Sequence, residues 1–269
     1  MPSGKKSKQA RRTAATMPPP VVSKGGVRRR QANPKVLAIA VGVVVLAGIG
    51  IGLAIALSGG NSSANSNVPS IGNAATGLPG STDIAAQLAG VPQHGMTLGS
   101  PTAPVTLLEY IDLQCPICRA FETEVMPTIV PRFVRSGKVQ VIARPIAFIG
   151  PDSERGRLAA LAAARQNRFF DFSQLLYDNQ GTENTGWLDD DFVRAAFASL
   201  PGLNVAAAEK ARTQTAIADE ANRYDTQANA DKVRGTPTIL VGKTGGKLTE
   251  VVSPDVANLS GAIQAALRS

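Results

Sequence analysis

Hydrophobic and polar positions change period several times along the chain, and each change marks an element. Residues 105–113 hold Val105, Leu107, Leu108, Tyr110, Ile111 and Leu113 in a nearly continuous apolar run, which predicts a strand buried on both faces. Phe121, Val125, Ile129 and Phe133 then recur every fourth residue, predicting a helix over 118–135 that Pro127 and Pro131 should kink or end early. Val139, Val141 and Ala143 recur at every second position and would share one side, so residues 138–146 read as a strand again. Strand, helix, strand in that order is the pattern of a parallel crossover.

The period then turns helical. From 151 to 232 apolar residues group as Leu158, Leu161 and Ala162, then Phe169, Phe172, Leu175 and Leu176, then Phe192, Ala196 and Phe197, followed by an Ala-rich stretch. Asp189-Asp190-Asp191 reads as an N-cap and first-turn acid cluster, favoured at the positive end of a helix dipole. Trp187 reads as a core or cap residue of the same block. Pro237-Thr238-Ile239-Leu240-Val241 returns to strand, Lys243-Thr244-Gly245-Gly246 reads as a hairpin turn, and 254–268 reads as a closing helix. The fold class expected for 91–269 is therefore α/β, with a helical insertion at about 151–232.

The first third is different. Residues 1–35 lack apolar periodicity and include Pro18-Pro19-Pro20 and Gly25-Gly26, too little apolar surface to offset the entropy of ordering, so a disordered tail is expected. Residues 36–57 contain no charged side chain. As a helix they would run about 33 Å, slightly more than a hydrocarbon core, and a single transmembrane helix is expected there. Ala54-Ile55-Ala56 has the form of a signal-peptidase site, yet the apolar run is longer than a signal h-region and follows a long basic segment, which favours an uncleaved anchor. Residues 58–90 are rich in Gly, Ser, Asn and Ala, as a flexible linker is.

Charge fixes the orientation. Ten of the 28 Lys and Arg fall in 1–35, where there is no acid, leaving 18 against 20 Asp and Glu in the remainder. The basic pI thus belongs to the tail, no nucleic-acid-binding domain is implied, and the positive-inside rule puts the amino terminus in the cytoplasm with the rest outside.

Cys115 and Cys118 are the only cysteines of the 269 residues and His94 the only histidine, so a tetrahedral Cys/His zinc site cannot be built within one chain. A structural bridge across two residues would close too short a loop to stabilise much. A redox pair needs its first thiol ionised near neutral pH. A helix N-terminus supplies that, with Pro116 in the first turn costing no hydrogen bond.

Glu109-Tyr110-Ile111-Asp112-Leu113-Gln114-Cys115-Pro116-Ile117-Cys118, with Gly235-Thr236-Pro237-Thr238 about 120 residues later, resembles the DsbA-type thiol-disulfide oxidoreductases of the thioredoxin superfamily. Gln93-His94-Gly95-Met96-Thr97-Leu98-Gly99 and Ala103-Pro104-Val105-Thr106 are similar to membrane-anchored members from Gram-positive, particularly actinobacterial, sources. The resemblance implies a thioredoxin-like fold, a redox-active Cys115–Cys118 disulfide and no cofactor or metal. It implies that Cys115 is the exposed nucleophile, Cys118 the buried resolving thiol and Pro237 a cis-proline facing them. Thr236, Pro116 and Ile117 are implied to meet a bound substrate strand, and Glu109 to be a buried carboxyl that relays the Cys118 proton. The partners implied are reduced exported proteins and a quinone-linked membrane reoxidase. Strongly oxidising members commonly have histidine where this chain has Ile117, so a potential between about −270 and −120 mV is expected. A reductase or isomerase kept reduced, and a binding domain that does not use its thiols, are the competing readings.

Overall fold

A computed structural model describes residues Ser70–Ser269. The basic tail, the expected transmembrane helix and the first part of the expected linker lie outside the described residues. Among the described residues, no helix is long and apolar enough to cross a membrane.

The flexible spacer expected to reach Gly90 gives way earlier. Gly72 donates to Leu203 O at 2.9 Å, a 3-10 turn (Ala74–Thr76) follows, and α1 (Ser81–Leu88) buries Ile84 and Leu88 four residues apart. Arg135 closes the end of α1, donating to Ala89 O at 2.5 Å and to Gln87 O at 2.7 Å. A Gly- and Ala-rich composition hid this segment because its order comes from the surface beneath it rather than from its own periodicity.

β1 (Gln93–His94) and β2 (Thr97–Leu98) form a small hairpin, and β3 (Val105–Ile111) is buried at all seven positions. The chain then enters α2 (Pro116–Ala120), a π turn (Phe121–Val125), α3 (Met126–Ile129) and a second π turn (Val130–Val134) without leaving the helical path. The prolines therefore do not end the helix. Pro127 follows the first π turn and Pro131 lies inside the second, where bonds reach back five residues, Met126 N–H to Phe121 O and Arg135 N–H to Val130 O. Widening the helix there accommodates rings that cannot donate and would crowd the preceding turn.

β4 (Val139–Pro145) lies parallel to β3, as the crossover pattern requires. The helical block follows as α4 (Pro151–Ala164), α5 (Phe169–Asp178), α6 (Asp190–Ser199), α7 (Val205–Arg212) and α8 (Thr215–Ala230). Asp189 caps α6 by accepting from Phe192 N, and Trp187 packs edge-on against Phe192, so both behave as expected. β5 (Thr238–Lys243) pairs antiparallel with β3, β6 (Thr249–Glu250) completes the predicted hairpin, and α9 (Val256–Arg268) closes the chain.

The sheet order β1-β2-β4-β3-β5-β6 puts β3 in the middle. Val105, Leu107 and Ile111 face a core shared with Phe121, Ile129, Phe133, Leu259 and Ile263, while Leu108 and Tyr110 face Ala228 and Tyr224 of α8. Gly156 lets α4 come close behind the end of this sheet; a Cβ there would stand 2.6 Å from Leu188 Cδ2 and 3.5 Å from Leu113. Leu88→Ala should lower stability by about 2–4 kcal/mol in a denaturant titration, where a residue in a free spacer would leave the midpoint unmoved.

Candidate active site

β3 delivers the motif. Its last residue is Ile111, and Asp112, Leu113 and Gln114 form the turn that ends at Cys115, the N-cap of α2 with φ −71° and ψ 120°. Asp112 is fully buried yet fully used: Oδ1 accepts from Gln114 N at 2.9 Å, and Oδ2 from Phe148 N at 2.7 Å and Ile149 N at 2.9 Å. The helical block braces the other side. Tyr177 OH donates to Asp112 O at 3.2 Å, and Gln180 Nε2 donates to Leu113 O at 3.1 Å and Cys115 O at 3.3 Å. Gln114 reaches outward to Ser153 Oγ at 2.9 Å and Asn184 Oδ1 at 3.1 Å. A turn held this way keeps the helix amides pointed at one sulfur.

Both cysteines are free thiols. Cys115 Sγ donates to Thr236 O at 3.3 Å, and the Thr236–Pro237 bond is cis. The implied exposed nucleophile is in fact nearly covered: Cys115 is 6% exposed and Cys118 0%. The Thr236–Pro237 loop lies against Cys115, which a linear motif could not reveal. The pair is nonetheless unequal. A hydrogen bond from Cys118, then the Thr236 hydroxyl and the N–H groups of Cys118 and Ile117, outweigh burial and bring Cys115 down to about 6. Burial and the neighbouring Cys115 push Cys118 well up. One sulfur is thus ready to be an anion and the other to hold a proton.

Beneath them Glu109 is 1% exposed, on the same strand face as Leu107 and Ile111, and burial followed by Glu122 holds its carboxyl well above the usual range. Its partner Glu122, 3% exposed, was not singled out from the sequence. Burial raises Glu122 to about 7, opposed by hydrogen bonds from Glu109 and Gln174, whose Nε2 donates to Oε2 at 2.7 Å. Glu122 lies four residues after Cys118, on the same inward helix face, and that spacing is the signal that would have found it. Within Glu122-Thr123-Glu124 it reads as solvated.

Pro116 and Ile117 are exposed, Ile117 by 66%. Ile117, Phe121, Val125, Thr236, Pro237 and Pro254 contribute to the walls of an adjoining cavity of about 840 Å³. His94 is exposed on the edge strand β1, beyond β2 and β4 from the motif strand. The sequence-predicted residues Cys115, Cys118, Glu109, Pro116, Ile117, Thr236 and Pro237 thus share one region. The arrangement can perform thiol-disulfide exchange, in which a low-pKa sulfur attacks or leaves while its neighbour holds the proton.

Because the Cys115 value is lowered, its thiolate prevails above a pH of about 6 and is lost below it. Single-turnover alkylation of the reduced protein should therefore rise with a midpoint near 6, against about 8.5 for a free cysteine. The same shift stabilises the folded dithiol relative to Cys115→Ser. That advantage is complete above the ordinary value of 9.0 and disappears as pH falls through about 6.

Residues 92–264 match a family model described as thioredoxin. The probable disulfide bond formation protein D of Bacillus cereus is 29% identical over 175 residues, covering 64% of this chain and 78% of that protein. Disulfide bond formation protein D of Bacillus subtilis is 26% identical over 149 residues, 54% of this chain and 66% of that one. Among solved structures, oxidised BdbD from Bacillus subtilis aligns with a TM-score of 0.59 at 22% identity over 66% of this chain and 98% of that chain. Wolbachia pipientis alpha-DsbA1 aligns with a TM-score of 0.56 at 19% identity, over 64% and 90%. With a dithiol at a helix N-terminus, opposed by a cis-proline loop, the chain belongs to the thioredoxin family and is a DsbA-type protein thiol-disulfide oxidoreductase.

Proposed function

We propose that the chain is an oxidase anchored by residues 36–57, with its catalytic domain outside the cytoplasm, that introduces disulfides into exported proteins. The observation that carries the direction is the asymmetry of the dithiol. A Cys115 thiolate stabilised to about 6 favours the reduced form, and a pair whose reduced form is stabilised is an oxidant when it carries the disulfide. No cationic side chain is among the causes of that lowering, so Ile117 does not prevent it. The names of the Bacillus relatives agree with disulfide formation. The ten positive charges before residue 36 support the orientation.

In the forward reaction a substrate thiolate attacks Cys115 Sγ of the Cys115–Cys118 disulfide. The S–S bond breaks, a mixed disulfide forms, and the departing Cys118 sulfur takes a proton, for which the buried Glu109–Glu122 pair is the nearby reservoir. A second substrate thiolate then attacks its own sulfur in the mixed disulfide and expels Cys115 as a stabilised thiolate. Two electrons pass from the substrate dithiol to the cysteine pair. Thr236 and cis Pro237 align the substrate strand, Pro116 and Ile117 form its landing surface, and a quinone-linked membrane oxidase restores the disulfide.

Cys118→Ser should accumulate mixed disulfides on Cys115 in cells, separable on a non-reducing gel and identifying exported substrates, while Cys115→Ser should accumulate none. Acid-quenched alkylation of the wild-type chain should find the pair mostly as disulfide. A mostly reduced steady state favours the reductase or isomerase reading, and absence of mixed disulfides favours a binding domain.

A further inference from the structure

The loop that faces Cys115 is fastened at both ends to one residue, at one end through its side chain and at the other through the strand ladder. Tyr110, 0% exposed, is the residue opposite Thr238 in the β3–β5 ladder, immediately after cis Pro237. Its hydroxyl donates to Asp231 Oδ2 at 2.5 Å, six residues before Pro237 and just beyond the end of α8. Arg144 completes the cluster from the other neighbour of β3, opposite Tyr110 in the β3–β4 ladder. It donates to Tyr110 OH at 2.6 Å, pairs with Asp231 at 3.3 Å, and places its guanidinium carbon 5.4 Å from the centre of the Tyr110 ring. Inside the loop, Val233 N donates to Ala228 O at 2.9 Å and Thr238 Oγ1 to Gly235 O at 2.8 Å.

We propose that Tyr110, Asp231 and Arg144 form a clamp that positions the 232–237 loop, and so the Thr236 backbone and Pro237, against the reactive thiol. The same strand that carries Cys115 at its end thereby holds the opposing wall of the site. None of the three touches a sulfur; they are positioning residues acting through Thr236, which meets Cys115 at 3.3 Å. The cluster lies on the α8 side of the sheet, whereas Glu109 and Glu122 lie on the other, so it acts separately from the buried acids. Asp231 also lines the cavity beside Cys115, together with Lys232, Arg234 and Gly235 of the same loop. A loosened clamp would leave the thiol chemistry possible but the substrate strand and the Thr236 hydroxyl poorly placed.

The proposal rests on Cys115 being the sulfur that exchanges with substrate, and the test separates the two. In the full-length protein, Tyr110→Phe removes the hydroxyl while keeping the ring, and Asp231→Asn keeps an acceptor for the hydroxyl while removing the ion pair. Both are read by the pH profile of Cys115 alkylation and by oxidation of a peptide dithiol. Tyr110→Phe should move the alkylation midpoint up by about one pH unit, slowing alkylation about tenfold at a pH of about 5. It should also raise KM for the peptide several-fold more than it lowers kcat, with Asp231→Asn changing both readouts in the same sense but less. Unchanged midpoint and KM in both folded variants overturn the clamp, as do changes that appear only where a melting curve shows unfolding. A wild-type protein that alkylates normally but does not oxidise the peptide instead overturns the oxidase reading, and leaves the midpoint comparison to decide the clamp.

Discussion

Two sulfurs three positions apart share one favourable place for negative charge, and much of the domain serves to make that place unequal. Cys115 sits where helix amides converge and where Cys118 can donate to it. Cys118 sits one helical turn deeper, without solvent. Had both been exposed, each would behave as a free thiol and the pair would store little oxidising power. The free energy that separates them is the stabilisation of one thiolate, available only if the turn before the helix is fixed.

That requirement explains the density of hydrogen bonds around Asp112, Leu113 and Cys115. A carboxylate buried at Asp112 is tolerable because three backbone N–H groups satisfy it, and in satisfying it they tie the turn to residues 148 and 149. Tyr177 and Gln180 tie the same turn to the helical block. The insertion is therefore part of the redox machinery in a physical sense: α5 also places Gln174 on Glu122, and so helps decide how two buried carboxyls divide a proton. The π turns belong to the same economy of shape, letting a proline-containing helix continue past the site without breaking.

Some of this was legible in the residues. Glu109 was marked as a buried carboxyl by the family resemblance, and the structure buries it. The Asp189 cap and the parallel crossover followed from local chemistry and period. Glu122 reads as solvated in its polar neighbourhood unless its spacing from Cys118 is weighed, and the packing of α5 makes that helix face an interior. The order of residues 70–90 was hidden for a similar reason, Ile84 and Leu88 being too few to predict a helix until a partner surface is present.

By itself the sequence determined the kind of chemistry and the order of the elements, because two cysteines beside a proline and a sequence of apolar periods are local properties of the chain. It could not decide how accessible the nucleophile is, which carboxyl pairs with Glu109, or what holds the cis-proline loop. Those depend on residues 13 to 121 positions apart, Glu109 with Glu122, Cys115 with Thr236, Tyr110 with Asp231, being brought within hydrogen-bonding reach. Only the assembled sheet does that. The Cys-Pro-Ile-Cys motif names the two thiols; the tertiary structure makes Cys115 the more acidic of them.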